Sequence, residues 1–336
     1  MVWVLAGSGV MYAMALALAS EMQRFPGGAA TFAQSLRAGI EAMRPLRWPA
    51  DRLDTLGGYL TYHNLTLYTL SLCIYAAVQG ARAVRRAEEE HSMEEILAAG
   101  RPRPAIVRDL AIGFFLSMVL VTLGLGTGIA LSMYAGGEPN VSGSFVTVTA
   151  SGLGAMMAYA AGVLVSQVVG SARVAAGVTS LLLGVLYVVT NVWQEVGALG
   201  LLRFVSPFYY ANLSRALVPG EGADLASMLL MTASAVVLLG LAAWVFQVRD
   251  YGAALVGRQA PPAPRTGARA RVQRRMLDAV WTETLLRGRV GLVAWSLSAA
   301  AFAALMALLL PTVIEAWDAI KSYMGVVGAD FVGTPQ

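Results

Sequence analysis

Charged residues are scarce in this chain. They make up 13% of its 336 residues, whereas a soluble domain carries about 25%. Hydrophobic residues make up 57%, and the mean hydropathy is +0.63. This composition excludes an ordinary soluble domain and predicts an all-α, polytopic transmembrane protein.

Cysteine, histidine and lysine are also nearly absent. The single cysteine, Cys73, excludes a disulfide framework and a thiolate metal site, and His63 and His91 are too few and too far apart for a metal cluster. The only lysine, Lys321, does not follow the glycines of a phosphate-binding loop, so the chain is not an ATPase of that class. Nucleophile elbows and H-E-x-x-H motifs are missing as well. We therefore expect no catalytic residue, metal ligand or cofactor site in this chain, and no enzyme activity of its own.

Apolar runs of membrane-spanning length are abundant. A span needs about 20 apolar residues. Seven stretches qualify: 2–20, 57–80, 110–134, 145–171, 174–193, 225–247 and 290–312. None has an acidic residue near its centre, which argues against a proton or sodium relay and against a voltage sensor.

The arginines predict the orientation. If the N-terminus is cytoplasmic, the inner segments are 81–109, the turn at Arg173, and 248–289. These segments hold sixteen of the 24 basic residues, as the positive-inside rule requires. The basic charge is therefore explained by topology, and we expect no nucleic-acid partner. The protein is predicted to be a multi-pass protein of a bacterial plasma membrane.

The densest charge run lies at 82–108 and carries six Arg and five Glu. Met93, Ile96 and Leu97 recur in it at helical spacing, which predicts a short amphipathic helix over 86–100 lying beside the membrane. Gly100 and Pro102 should end that helix. Two interpretations remain open: a docking element for a separate ATPase, or a solvated loop that helps to set topology.

The remaining segments suggest one six-span unit and the beginning of another. Residues 194–224 are too interrupted to span and too apolar for a free loop, which favours a re-entrant pair of short helices turning near Ser206-Pro207 on the outer side. A Pro- and Gly-rich linker, 248–270, follows the sixth span, and 271–287 predicts an amphipathic connecting helix. Residues 291–309 resemble 2–18, so 1–247 is predicted to be the first unit and 271–336 the start of an incomplete second unit.

A few polar and aromatic residues in or beside the spans are candidates for a cargo path. They are Tyr62, His63, Tyr187, Asn191, Phe208 and Tyr209. For His63 the alternative is simple interfacial placement, and Asn191 and Gln167 could equally cross-link helices.

Four short elements resemble permease subunits of ABC-2-type exporters, in particular the polyketide-antibiotic (tetronasin-type) branch. They are E-E-E-H-S-M-E-E-I-L-A-A-G-R at 88–101, S-P-F-Y-Y-A-N at 206–212, R-D-Y-G-A-A-L-V-G-R at 249–258, and L-L-R-G-R-V-G-L-V-A-W at 285–295. Their order and their positions at predicted loops match those of such permeases.

The resemblance implies two facing six-span units, in one chain or in two copies, driven by a separate cytoplasmic ATPase, expected as a dimer, that binds ATP and Mg²⁺. It implies that the 86–100 helix couples to that ATPase and that the 271–287 helix, with Arg275, Trp281 and Glu283, also contacts it. The implied coupling residues are Glu89, Glu90, Met93, Glu94, Glu95, Leu97, Gly100 and Arg101.

The resemblance therefore predicts a permease of an ATP-driven exporter of hydrophobic small molecules such as polyketide antibiotics or drugs. Lipid export and a non-transporting membrane scaffold or assembly role are the alternatives. A membrane-embedded lipid enzyme is disfavoured because no catalytic pair is visible.

Overall fold

A computed structural model of the chain describes residues 51–90, 92–192 and 200–250, together with residues 30, 31, 33, 34, 48 and 197. The described part is helical and contains no β-strand. The predicted spans 2–20 and 290–312, nearly all of the 248–270 linker, and the connecting helix with Arg275, Trp281 and Glu283 lie outside the described residues.

Between residues 51 and 250 the described chain forms nine α-helices, one short π-helical turn and one short 3₁₀ turn. The helices are α1 (Leu56–Leu60), α2 (Thr66–Ala83), α3 (Arg85–Glu89), α4 (Ser92–Ala98), α5 (Arg103–Ala135), α6 (Val141–Val168), α7 (Ala172–Val192), α8 (Pro207–Asn212) and α9 (Leu225–Val248). A π-helical turn, Thr61–Leu65, joins α1 to α2, and a 3₁₀ turn, Leu202–Val205, precedes α8.

Four of the helices, α5, α6, α7 and α9, are long and apolar enough to cross a membrane. Their predicted bounds differ from the observed ones by a few residues, except that α5 begins seven residues before the predicted 110–134. The predicted span 57–80 is helical, but α2 is not among the four because Gln79, Arg82 and several hydroxyl side chains lower its hydropathy. The six-span count thus remains a prediction.

Helix α6 lies at the centre of the bundle. Within its most apolar stretch 72% of the residues are buried, compared with 17% in α5 and 22% in α9. Helices α2, α5, α7 and α9 pack around it. The contact with α2 is unusually close, because a Cβ atom placed on Gly80 would lie 2.1 Å from the carbonyl oxygen of Tyr159, and one on Gly162 would lie 2.3 Å from that of Ala77. Small residues therefore let these two backbones touch.

Two ends of the bundle are distinguished by charge. The arginine-rich end contains α3 and α4. Helices α2, α6 and α9 end there, and helices α5 and α7 begin there. At the opposite end, the Leu56 N–H donates to Glu138 (3.0 Å), Asn140 donates to the Ala216 carbonyl (2.9 Å), and the 3₁₀ turn and α8 form the predicted pair of short helices. Ser206 has extended backbone and separates the two at the predicted position, and its buried side chain accepts from Thr190 at 2.6 Å. The re-entrant placement of 194–224 on the outer side stays a prediction.

Candidate coupling site at the arginine-rich end

The charged stretch after α2 folds as two short helices, α3 and α4, rather than as the single helix predicted over 86–100. Helix α4 ends at Ala98, and Gly100 follows with φ +79°, a left-handed conformation in which glycine avoids the strain of a side chain. Pro102, with extended backbone, then starts α5. The predicted stop at Gly100 and Pro102 is therefore confirmed.

A buried ion cluster fastens α3 to the rest of the bundle. The Glu88 carboxylate accepts from Arg85 at 2.9 Å and from Arg249 at 2.5 Å. The side chains of all three residues are at most 3% exposed. Arg249 directly follows α9, so a single carboxylate links α3 to the end of a helix that is 161 residues away along the chain.

Helix α6 supplies the acceptors that complete this cluster. Arg85 Nε donates to the Ser166 carbonyl at 3.1 Å, and Arg249 Nε donates to Gln167 Oε1 at 3.0 Å. Gln167 is fully buried and is held in place by its own bonds to Ser166 Oγ and to the Val163 carbonyl. Gln167 therefore cross-links α6 to the residue that follows α9, which is one of the roles expected for it.

The start of α5 joins the same cluster through Arg103. Its guanidinium donates to the carbonyl oxygens of Arg249 (2.7 Å) and Phe246 (3.2 Å), which the end of α9 leaves without helical partners. The guanidinium groups of Arg103 and Arg249 lie over the Phe246 ring, 5.6 Å and 5.1 Å from its centroid. The aromatic face thus stabilises both cations.

Helix α7 is tied to α3 through Glu89. Its carboxylate accepts from the backbone N–H of Ala172, the first residue of α7, at 2.8 Å. A negative charge at a helix N-terminus is favourable because it faces the positive end of the helix dipole. Helix α3 therefore contacts α6, α7 and the end of α9 through charge-assisted hydrogen bonds.

The cluster holds its charges at a desolvation cost. Burial, followed by the nearby positive charge of Arg249, lowers the pKa of Arg85, and the carboxylates of Glu88 and Glu89 act against this by raising it. Arginine nevertheless stays protonated, so the cluster keeps two buried cations beside Glu88.

The predicted coupling residues divide between the inside of the bundle and its surface. Met93 is 1% exposed and belongs to the same buried cluster as Ile106 and Phe246, so its predicted contribution to a docking surface is wrong in this structure. Leu97 is half-buried against that cluster. At Met93 and Leu97 the predicted apolar stripe therefore packs into the bundle and is not offered to a partner.

Most surface-facing members of the set lie on and after α4, and Glu89 and Glu90 are exposed at the end of α3. Glu94 and Glu95 are exposed, Ile96 is 38% exposed, and Gly100 is open to its surroundings. Arg101 is exposed and pairs with Asp109 at 2.5 Å. Glu90, at the end of α3, forms an exposed pair with Arg86 at 2.7 Å. Helix α4 therefore presents two carboxylates on a segment that is firmly attached to the bundle.

The predicted cargo-path residues do not come together at one site. Phe208 is 2% exposed and packs edge-on against Tyr187 (ring centroids 5.3 Å apart), while Asn191 is buried and donates to the Tyr187 carbonyl at 2.8 Å. These three side chains fill the interior between α7 and α8. Tyr209 lies outside them, under the Arg203 guanidinium at 5.2 Å.

Tyr62 and His63 lie on the π-helical turn at the opposite end of the bundle. The His63 ring stacks on Tyr59 at 4.2 Å and meets Tyr62 edge-on at 5.1 Å. Tyr62 also lines a narrow cleft with Trp48, Asn212 and Arg215. π-helical turns occur frequently at functional sites, so this cleft keeps Tyr62 as a candidate for the cargo path.

The ion cluster was not predicted from the sequence, and the reason is physical. Arg85 and Glu88 are one helical turn apart and resemble any exposed i,i+3 pair, while Arg249 directly follows a predicted span and resembles a topology signal. Only the packing of α9 beside α3 brings the three together. The one local signal was Gln167, an uncharged polar residue inside an apolar stretch. In the described part of the chain, no group of three His, Cys, Asp or Glu side chains is placed to hold a metal ion.

Comparison with known proteins identifies the family of this chain. No curated protein matches the chain. A family model described as "ABC-2 family transporter protein" matches residues 2–251, which cover most of the chain and include every helix described above. Since four helices in its described part are long and apolar enough to cross a membrane, the chain is a multi-pass membrane protein. The chain belongs to the ABC-2 family of membrane transporter proteins.

Proposed function

We propose that this chain is the permease subunit of an ATP-driven exporter of hydrophobic small molecules, such as polyketide antibiotics or drugs. Family membership supports a transmembrane, non-catalytic transporter component, and permeases of this family typically work with an ATPase partner. The four elements at 88–101, 206–212, 249–258 and 285–295 favour the tetronasin-type branch. The observation that carries the proposal is the position of α4, an exposed acidic helix that follows α3, and α3 is bonded to the start of α7 and to the end of α9.

In the proposed mechanism the ATPase partner, a dimer, binds ATP and Mg²⁺ and docks on α4 from the cytoplasm. Glu94 and Glu95 orient the docking through charge-assisted contacts with basic residues of the partner. The exposed part of Ile96 and the turn at Gly100–Arg101 add contact area. Closure of the ATPases then pushes on α4, and the attachment of α3 passes the displacement to α6, α7 and α9.

The cargo leaves between two facing six-span units, which the second unit of the same chain or another copy provides. Movement of the long helices at the arginine-rich end changes the packing at the opposite end, where Tyr62 lines the outer cleft. Hydrophobic cargo needs no charged carrier residue, which agrees with the apolar spans.

Charge reversal on α4 tests this proposal. The full chain is produced with its ATPase, and ATP-dependent uptake of the fluorescent polyketide doxorubicin is measured in inside-out vesicles. We expect the double variant Glu94→Lys/Glu95→Lys to lose uptake by about tenfold or more and to release the ATPase, because like charges face each other across the contact. Asp54→Lys, which reverses one charge of the exposed pair with Arg52 at the opposite end and lies outside the cleft at Tyr62, is the control and should keep normal uptake.

Three results would contradict the proposal. Uptake equal to that of the wild type in the double variant would remove α4 from the coupling site. A full chain that binds no ATPase would support a scaffold or assembly role. ATP-driven movement of a fluorescent phospholipid without any doxorubicin uptake would instead support lipid export.

A further inference from the structure

The buried ion cluster at Glu88 joins helices at a large cost in desolvation free energy. Taking an ion pair out of water costs several kcal/mol per ion, and well-packed apolar side chains often give equal or greater stability. Here two arginines and one glutamate are buried together, and each arginine needs a further acceptor on α6. Stability alone therefore does not explain the cluster.

Directional hydrogen bonds provide what apolar contacts lack. Apolar contacts are non-directional, whereas a guanidinium fork held by two acceptors fixes both distance and angle. Arg249 is held at three points: its side chain binds Glu88 and Gln167, and its carbonyl accepts from Arg103. Arg85 is held by Glu88 and the Ser166 carbonyl. The end of α9 is thus fixed in register with α3 and α6.

We propose that Glu88 and Arg249 form a rigid joint that makes the end of α9 move together with the α3–α4 segment. Glu88 and Arg249 are positioning residues: they touch neither cargo nor nucleotide, and they act by keeping α9 aligned with α4. The role of the joint in transport rests on the proposed function, but its rigidity does not.

The rigidity is measurable on the isolated full chain. Spin labels at Ala99→Cys, beside α4, and Gln247→Cys, on α9, report the distance between the two segments by electron paramagnetic resonance, and both positions are exposed. The native Cys73, the only cysteine, is fully buried, so we expect it to remain unlabelled. We expect one narrow distance distribution in the wild-type background.

Removal of the shared charge should loosen the joint. Glu88→Gln is expected to widen the distribution by about twofold or more, because a neutral amide cannot hold two guanidinium groups. Glu90→Gln, which breaks the exposed pair with Arg86 on the same short helix, is the matched control and should leave the distribution unchanged. The exchanged pair Glu88→Arg/Arg249→Glu should narrow the distribution relative to Glu88→Gln. An unchanged width in Glu88→Gln would overturn the joint.

A second variant keeps the inference testable if Glu88→Gln fails to fold. The apolar triple variant Arg85→Met/Glu88→Leu/Arg249→Met removes all three charges, and it should fold while still showing the broad distribution. A narrow distribution there would show that packing alone aligns the helices, which contradicts the inference.

The transport assay then separates the joint from the proposed function. In vesicles with the ATPase, the triple variant should hydrolyse ATP while doxorubicin uptake per ATP falls about tenfold, and a ratio equal to that of the wild type would contradict the coupling role. If the wild type itself takes up no doxorubicin, the proposed function fails, and the distance measurements still decide whether the joint exists.

Discussion

Glu88 and Arg249 lie 161 residues apart along the chain, yet they meet at 2.5 Å in a setting where neither side chain is more than 3% exposed. The contact joins a short surface segment to the end of a long apolar helix. This contact attaches the charged stretch after α2 to the end of α9, and the amphipathic pattern of that stretch did not predict it.

Loss of Glu88 should also be strongly destabilising. Removal of one member of a buried ion pair leaves an uncompensated charge and typically costs about 3–5 kcal/mol. We expect Glu88→Ala to lose that amount in thermal or denaturant unfolding of the purified chain in detergent. The exposed pair of Arg86 and Glu90 should contribute little to stability because solvent screens it, so Glu90→Ala is the comparison. Equal losses in the two variants would show that the cluster is not buried as described.

Close contact between α2 and α6 gives a second prediction. A methyl group at Gly80 would lie 2.1 Å from the Tyr159 carbonyl oxygen, whereas one at Gly177 on α7 would meet nothing within 4 Å. Gly80→Ala should therefore destabilise the folded chain by about 1–3 kcal/mol or more through overpacking. Gly177→Ala should be neutral or stabilise by up to about 1 kcal/mol, since alanine favours a helix. The same unfolding measurement decides, and a neutral Gly80→Ala would contradict the packing of α2 on α6.

The start of α9 gives a prediction with a pH dependence. Asp224 is its N-cap, and hydrogen bonds from the hydroxyl (2.8 Å) and then the backbone N–H (3.2 Å) of Ser227 lower the pKa of Asp224 below its ordinary value of 3.8. A lowered folded-state pKa means that the stabilisation is fully present above pH 3.8 and is lost as the pH falls through the folded pKa. Asp224→Ala should cost about 1 kcal/mol at neutral pH.

Asparagine separates the cap from its charge. Asp224→Asn keeps the cap, so it should retain most of the stability at neutral pH while losing this pH dependence. Unfolding curves at pH 7 and pH 3 for the two variants test both points. An asparagine variant as unstable as the alanine variant at pH 7 would show that the side chain does not cap α9.

Much of the fold was predictable because it follows from local pattern. Apolar runs located α5, α6, α7 and α9, and interrupted hydrophobicity at 194–224 predicted the turn at Ser206-Pro207. The contacts between distant segments were not predictable in this way. Met93 has the spacing of an amphipathic helix whether its apolar face meets a partner protein or its own bundle, and only the packing of α4 beside Ile106 and Phe246 decides between the two.

The candidate site residues also divide into those that local sequence pattern could predict and those that depend on distant contacts. Glu94, Glu95 and Arg101 could be identified because their dense charge on an otherwise apolar chain predicts exposure, and all three are exposed. Arg85 and Glu88 come from the same charge run but are buried, because Arg249 and the Ser166 carbonyl supply partners from elsewhere. The burial of a charge depends on partners that are distant in sequence, so the run alone could not separate these residues from the exposed ones.

The cytoplasmic position of α4 is the claim on which the whole account depends, and labelling of single cysteines in intact cells tests it most directly. Ala98→Cys on α4 and Gly222→Cys before α9 are exposed positions at the two ends of the bundle. The account predicts that a membrane-impermeant maleimide labels Gly222→Cys in intact cells and reaches Ala98→Cys only after the membrane is opened. Labelling of Ala98→Cys in intact cells, with protection of Gly222→Cys, would contradict it.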